Sequence, residues 1–359
     1  MKILIVKLHA LGDLVIATPA IRRLRQGFPD AHIELLTTDW AEPAIRGSRL
    51  VDEVISVPSD LFFAKNLASM NGLARLLFNI RARKYDASIA FHLSRKIHSW
   101  IALGGINNRF GFNSAVSGNF IPLDEQRHSA LTAWELADLT VRSLGGIQFS
   151  PASIADLKYD WVVTSAEGAL AAEHLAGMGI IEPYATLFPG GGTNPSASAH
   201  EKRWTPEGFT QLAKWLRDER NMKVLVMGSS SDASCAAEVA GMAGENVMCL
   251  AGKTDVRTTA AIIARSVIAV SNDSAPMHIA SAVGTPTLGI FGPTGAVAKA
   301  PLGDRCSAIS LGLPCSPCYF ATFKGCIFDT IRCMQELSAE KVINAAAALL
   351  DASRDKADE

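Results

Sequence analysis

Short, continuous apolar runs alternate along this chain with longer stretches whose apolar residues recur every three or four positions. The runs are rich in β-branched residues, as expected of strands buried on both faces of a parallel sheet. They fall at residues 2–8, 32–38, 52–57, 86–91 and 108–112. Helical spacing predicts helices over 14–26, where Leu14, Ala17, Ile21 and Leu24 share a face, and over 61–82 and 94–103. Beyond Phe112 the signal weakens: 113–124 reads as loop, 130–144 as helix, and 145–160 as a linker, followed by a helix over 165–178.

The pattern then restarts. Strands are predicted at 184–188, 222–227, 247–250, 267–270 and 285–291. Helices are predicted at 206–218, from 228–232 onward, and at 255–265, 275–283 and 338–350. Strands alternating with helices specify a parallel sheet covered on both faces. Two such doubly wound α/β domains follow, 1–160 and 161–359, expected to face a central cleft. No short-period repeat suggests a solenoid.

Composition adds bounds. At 359 residues and 48% hydrophobic, the chain is long for one core and has ample apolar content for two. Lys and Arg number 34 against 35 Asp and Glu, so no polyanion partner is demanded and nucleic acid is not expected. No apolar run approaches the roughly 20 residues that span a bilayer. The first run meets Gly12-Asp13 at once and reads as a strand, not a signal peptide. A cytoplasmic protein is expected, with any membrane contact peripheral.

Three stretches carry candidate chemistry. In 267–294, a buried strand leads into Ser271-Asn272-Asp273-Ser274 and then a short helix with Pro276 in its first turn. A helix opening at the carboxyl end of such a strand aims free N–H groups at an anion. His278 follows Ser274 by four positions and shares its face. Asp273, Ser274 and His278 thus suggest a nucleotide-diphosphate site, against the plainer reading of an N-cap and a structural histidine.

In 7–13, Gly12 permits a tight strand-to-helix turn and Asp13 stands at the helix start. There it is either an N-cap or a general base for a sugar hydroxyl. The turn lacks the Gly-x-Gly-x-x-Gly of dinucleotide sites, which disfavours a nicotinamide enzyme. In 190–204, Gly190-Gly191-Gly192-Thr193 leaves backbone bare for phosphate oxygens. Lys202 and Arg203 close that long small-residue loop, where a cation could neutralise a leaving diphosphate. A solvated loop with incidental basic residues is the alternative.

Together, 7–21 (KLHALGDLVIATPAI), the PGGG to KRW segment and 271–294 (SNDSAPMHIASAVGTPTLGIFGPT) resemble glycosyltransferase family 9, the lipopolysaccharide heptosyltransferase group. Residues 85–92 and 109–112 are similar to its weaker middle motifs, so the resemblance spans nearly the whole chain. It implies a GT-B fold of two Rossmann-like domains, acceptor bound by the first and nucleotide-sugar by the second. It implies Asp13 as base and Lys202 on the donor phosphates. Asp273, Ser274 and His278 would line the nucleotide site, with Gly12, Gly191, Gly192 and Thr193 as further donor-binding candidates. The implied donor is ADP-heptose, transferred with inversion to a lipopolysaccharide-core, other saccharide or lipid-linked acceptor, at most peripherally on the inner membrane. The chain has no Asp-x-Asp, which fits metal-independent transfer without a cofactor.

Two features depart from the family pattern. Some members place an acidic residue shortly after the glycine matching Gly228 to bind the nucleotide ribose; here Ser229, Ser230 and Ser231 intervene before Asp232, leaving the nucleotide open. Cys315-x2-Cys318-x7-Cys326-x6-Cys333 has the arithmetic of a structural metal site, though its second pair is not a Cys-x-x-Cys knuckle. The autotransporter heptosyltransferases carry a four-cysteine iron site in a similar region with longer spacings. Unligated or redox-paired thiols are the alternative. Finally, Phe62, Phe63, Leu67, Leu73, Leu76 and Leu77 alternate with Lys65, Arg75, Arg81 and Arg83. A crossover helix with its apolar side on the sheet is preferred to a membrane-binding face. The rival functions are a nucleotide-sugar epimerase of the same fold and a non-catalytic nucleotide-sugar-binding protein.

Overall fold

The computed structural model describes residues 1–63, 67–113, 118–124, 126–150, 152–180, 183–194, 197–319, 325–328 and 330–355. The chain divides into two units, Met1–Asp160 and Trp161–Glu359.

The first unit is a six-stranded parallel sheet. Its strands are β1 (Lys2–Val6), β2 (His32–Thr38), β3 (Glu53–Val57), β4 (Ala87–Ala90), β5 (Asn108–Phe112) and β6 (Asn119–Ile121), in the order β3-β2-β1-β4-β5-β6. Central strands read as unbroken apolar runs because both faces are covered: Ile3, Leu4 and Ile5 are fully buried. The helices are α1 (Leu11–Gly27), α2 (Asp60–Phe63), α3 (Leu67–Ala82), α4 (Arg95–Leu103) and α5 (Ser129–Ser143). Pro19 lies inside α1 and cannot donate to Val15; the Thr18 hydroxyl takes that carbonyl instead, at 2.6 Å.

Three expectations need correction here. The stretch 113–124 is not all loop: Asn119–Ile121 pairs with β5 as an edge strand. The helix over 61–82 is two, α2 and α3, with Lys65 and the side chains of Phe63 and Leu67 outside the described residues. The stretch 145–160 is not a free linker. Leu157 and Tyr159 are buried, and Asp160 bonds Thr18, Ser48 and Arg22, because the segment packs back onto α1.

The second unit repeats the plan with β7 (Tyr184–Phe188), β10 (Lys223–Val226), β11 (Val247–Cys249), β12 (Ile268–Asn272), β13 (Thr287–Phe291) and β14 (Cys306–Ser310), ordered β11-β10-β7-β12-β13-β14. A small antiparallel pair, β8 (Thr193–Asn194) and β9 (Ala197–Ser198), stands apart from the sheet. The covering helices are α6 (Ser165–Gly177), α7 (Pro206–Asp218), α8 (Ala233–Ala243), α9 (Val256–Ala264), α10 (Ala275–Ala282), α11 (Ala296–Lys299), α12 (Arg332–Gln335) and α13 (Ala339–Asp355). Both sheets reverse strand order beside their first strand, between β1 and β4 and between β7 and β12. This is the switch point where open α/β sheets bind ligands. Among the described residues, no helix is long and apolar enough to cross a membrane.

Candidate functional site

At the first switch point the chain leaves β1 and is fastened on both sides. The Leu8 N–H donates to His92 Nε2 at 2.8 Å, and the Thr38 hydroxyl donates to the Leu8 carbonyl at 2.5 Å. α1 starts at Leu11 with Ala10 as its N-cap and no side-chain cap. Asp13 is therefore not an N-cap; it lies in the first helical turn, where the dipole favours a carboxylate. Gly12 is helical too, so residues 8–10 make the turn and Gly12 does not. Lys7 Nζ lies 3.4 Å from the Asp13 carboxylate and 3.3 Å from the Phe91 carbonyl. The Lys7 side chain is 10% exposed and that of Asp13 40%, so the cation is enclosed while the carboxylate meets solvent.

The neighbouring imidazoles are neutral. Burial, reinforced by Lys7, pushes His92 well below its ordinary value, and its Nε2 accepts a hydrogen bond, leaving the proton on Nδ1. His9, with its ring centroid 5.1 Å from that of His92, is lowered by burial and Lys7 against the opposing pull of Asp13. The site thus holds an accessible carboxylate beside one cation, an arrangement able to accept a proton from a hydroxyl.

The second switch point is organised by Asn272, the fully buried last residue of β12. Its amide donates to the carbonyls of Pro189 (2.9 Å) and Gly190 (3.1 Å), and its oxygen accepts the Trp204 N–H (3.1 Å). One side chain thereby brackets both ends of segment 189–204. Within it Lys202 sits in a 3-10 turn, His200–Lys202, and not in a loose loop. The Thr193 side chain lies outside the described residues.

The glycines do not all expose backbone to a ligand. A Cβ on Gly190 would lie 2.4 Å from the Asp232 carboxylate, and one on Gly191 would lie 1.9 Å from the Ala199 carbonyl, so the protein itself fills both spaces. Gly192 is left-handed (φ +86°) and comes against Ser274: its Cβ would stand 3.5 Å from that of Ser274. The glycine segment and the start of α10 therefore meet.

Ser274 is the N-cap of α10 and makes no side-chain cap bond, so Asp273 is not a cap. Asp273 is 6% exposed and pairs with Lys202 Nζ at 3.0 Å. Burial alone would raise its carboxyl, but Lys202, His278 and the Thr294 hydroxyl outweigh it and hold the group below its ordinary range. His278 is 3% exposed. The Lys202 ammonium lies 5.0 Å from the Tyr319 ring centre. Arg203 pairs with Asp232 at 3.1 Å, and Asp232 accepts from the Ser229 N–H and hydroxyl at 3.1 and 2.6 Å. Asp232 is thus committed to a capping box and to Arg203. A cation, a bare glycine and a helix opening at one place can receive a diphosphate. Sequence reasoning gave no role to Asn272, Thr294, Tyr319 or Lys7, although Lys7 and Thr294 close the ends of stretches it singled out and Asn272 stands in the Ser-Asn-Asp-Ser run.

The cysteine segment folds over the end of β13. The Ser316 hydroxyl donates to the Gly292 carbonyl, and the N–H groups of Cys318 and Tyr319 donate to that of Pro293 at 2.8 Å each. Burial and the neighbouring sulfurs push the Cys333 thiol up to about 11 and Cys318 upward as well. Among the described residues the one group of three potential ligand atoms within 4.8 Å is His32, Glu34 and Glu53; the cysteines form none. A tetrahedral thiolate site with metal–sulfur bonds of about 2.3 Å sets its sulfurs closer than that. Cys315 and Cys326 are near enough to Cys318 and Cys333 to raise their thiols, but the four are not gathered into a tetrahedral set. Glu34 is already bonded by Lys2, Tyr85 and Arg83, which makes its cluster structural.

Comparison with known proteins gives a consistent picture. The profile of glycosyltransferase family 9 (heptosyltransferase) matches residues 73–324. Lipopolysaccharide heptosyltransferase 2 of Escherichia coli K12 is 24% identical over 320 residues, 87% of this chain and 88% of the relative. The structure of E. coli ADP-heptose lipopolysaccharide heptosyltransferase II superposes with a TM-score of 0.75 at 20% identity, covering 99% of this chain and 100% of that one. E. coli heptosyltransferase WaaC with ADP gives 0.71 at 17% identity, covering 97% and 100%. The architecture of these enzymes is the GT-B fold.

Proposed function

The chain belongs to glycosyltransferase family 9, and from that premise we propose that it transfers heptose from ADP-heptose to a hydroxyl of a lipopolysaccharide-core acceptor. The relatives' names support donor and acceptor, as heptosyltransferases of lipopolysaccharide, and one structural neighbour is described with ADP. The observation that carries the reading is the Lys202–Asp273 pair beside Gly192 and the opening of α10.

Unit 2 binds the donor. Lys202 and the free N–H groups of α10 receive the diphosphate, Ser274 and His278 line the nucleotide, and Asp273 holds Lys202 in place. Unit 1 binds the acceptor, and Asp13 takes the proton of the attacking hydroxyl. The acceptor oxygen bonds the anomeric carbon as the bond to the β-phosphate oxygen breaks, and ADP leaves with the electron pair. Attack opposite the leaving group inverts the centre. Lys202 and the helix end supply the charge compensation that a metal provides in other transferases.

A cytoplasmic site of action is part of this reading. The outer side of α3 is its candidate bilayer contact: Met70 and Phe78 are 67% and 73% exposed near Arg75 and Arg81, while Leu76 and Ile80 pack on the sheet. Arg83 is tied to Glu34 and Glu53 and takes no part. A structural metal would require the cysteine segment to close, and elemental analysis of purified protein tests it. The function itself is tested by supplying ADP-heptose or UDP- and GDP-sugars with lipopolysaccharide core lacking terminal heptose. Heptose appearing in the core supports the reading; transfer from a UDP-sugar alone overturns the donor, and no transfer from any donor overturns the activity.

A further inference from the structure

One tryptophan departs from the pattern of the other five. Of the six in the chain, Trp134, Trp161, Trp204 and Trp215 are buried and Trp100 is half-buried, whereas Trp40 is 43% exposed. Leaving an indole in water forgoes the burial energy that large aromatics usually contribute, so its placement needs a reason.

The surroundings of Trp40 are rigid. Asp39 donates its N–H to the Val57 carbonyl at 2.9 Å, and its carboxylate accepts from the N–H groups of Trp40 (2.8 Å) and Ser59 (3.1 Å). Ala41 is fully buried and donates to the Thr38 carbonyl at 3.0 Å. The backbone on both sides of Trp40 is held, while the residue itself stays exposed next to the exposed Asp39.

Its position is also specific. Trp40 stands at the carboxyl edge of the first sheet, two residues beyond Thr38, whose hydroxyl is bonded to Leu8 at the foot of the Asp13 turn. β1 and β2 are paired up to Val6 and Leu36, and the Thr38–Leu8 bond ties the two chains together just beyond, so Trp40 and the Asp13 turn leave the same end of neighbouring strands. A flat apolar face with one N–H donor, at the same sheet edge as the carboxylate proposed to accept a hydroxyl proton, is the chemistry that recognises a sugar ring. The C–H face of the ring stacks on the indole while its hydroxyls stay wet.

We infer that Trp40 is the stacking platform for the saccharide of the acceptor, and so sets which ring presents its hydroxyl to Asp13. The inference rests on unit 1 being the acceptor side of the proposed transferase, and it deepens that reading to a residue. A preformed aromatic loses little conformational freedom on binding, which suits a platform better than a flexible side chain does.

The test uses the full chain and two readouts. In kinetics, Trp40→Leu raises the KM for lipopolysaccharide-core oligosaccharide by roughly tenfold, Trp40→Phe by less than threefold, and neither alters the KM for ADP-heptose. In fluorescence, iodide quenches Trp40 preferentially, and deacylated core oligosaccharide protects it in the wild type and not in Trp40→Phe. An unchanged acceptor KM in Trp40→Leu, in protein with the wild-type circular dichroism spectrum, overturns the platform. So does quenching indifferent to oligosaccharide, the result expected if Trp40 meets a protein or a bilayer. Protection without any sugar transfer leaves the platform standing and overturns the transferase reading, so the two failures are distinguishable.

Discussion

The two units have the same strand order and place their polar groups at the same switch point, yet they prepare those groups in opposite ways. In unit 2 nearly every group is committed to another: Asn272 to three backbone partners, Lys202 to Asp273, and Arg203 to Asp232. In unit 1 the Asp13 carboxylate pairs with the enclosed Lys7 yet remains 40% exposed, near the lowered imidazoles of His9 and His92. A diphosphate has fixed geometry and a large charge, and it rewards a rigid electrostatic cradle. A saccharide hydroxyl is neutral and needs a base that it can reach from solvent. On the proposed division of labour, the two switch points differ in how exposed their paired charges are: Asp273 is buried with Lys202, whereas Asp13 is 40% exposed beside Lys7.

The comparison breaks most decisively at Asp13. Asp13→Asn keeps the shape and removes the proposed base. The expected result is a fall in kcat of about 10²–10⁴-fold with the affinity for ADP-heptose within twofold of wild type. Turnover near the wild-type rate would refute the assignment. Lys202→Met should lower kcat by about 10²–10³-fold and raise the donor KM while leaving the acceptor KM alone. Parallel changes in both KM values would mean that the division of labour between the units is wrong.

Next comes the bracket. Asn272→Leu preserves volume but leaves the Trp204 N–H and the carbonyls of Pro189 and Gly190 without partners. It should destabilise the protein by about 1–3 kcal/mol and weaken ADP binding, because Lys202 and Gly192 lie on the segment it holds. Calorimetric titration with ADP measures the second effect; unchanged affinity would mean that the segment is held by its other contacts.

How legible this was depended on how local the cause was. Strands β2, β5 and β7 and helix α7 lie where periodicity places them, because their apolar runs and the Thr205-Pro206 start are written in consecutive residues. β14 escaped notice because CSAIS is a half-exposed edge strand with little apolar signal. The packing of 145–160 depends on Thr18, Ser48 and Arg22, more than a hundred positions away. At the site, Asp13, Lys202 and Asp273 could be nominated one by one. The Lys202–Asp273 pairing spans 71 positions and the Leu8–His92 bond 84, distances over which no spacing rule operates. The glycines misled for a related reason: bare backbone is visible in the sequence, but whether Asp232, Ala199 or a phosphate fills it is decided by the fold.

The subtlest expected difference between the units lies in acid. His92 and His98 of unit 1 are buried, and burial lowers both below their ordinary value of 6.5. Unfolding frees them to bind protons, so the unfolded state gains protons first as pH falls below about 6.5, and unit 1 loses stability from there downward. Each imbalance contributes at most about 1.4 kcal/mol per pH unit. In unit 2 the lowered groups are carboxyls: Asp273, below its ordinary 3.8, and Glu167, brought from 4.5 to about 2 chiefly by its hydrogen bond to Arg257. Carboxyls of this kind stabilise the fold above their unfolded values, and that stability is lost only as pH falls below about 4.5. Hydrogen exchange read peptide by peptide should therefore show residues 1–160 opening more easily between pH 6.5 and 5 while 161–359 hold until lower pH. Equal loosening of both units over that interval would mean that the buried imidazoles of unit 1 take up protons within the fold against acceptor partners, and that the contrast between the two switch points does not extend to their stability.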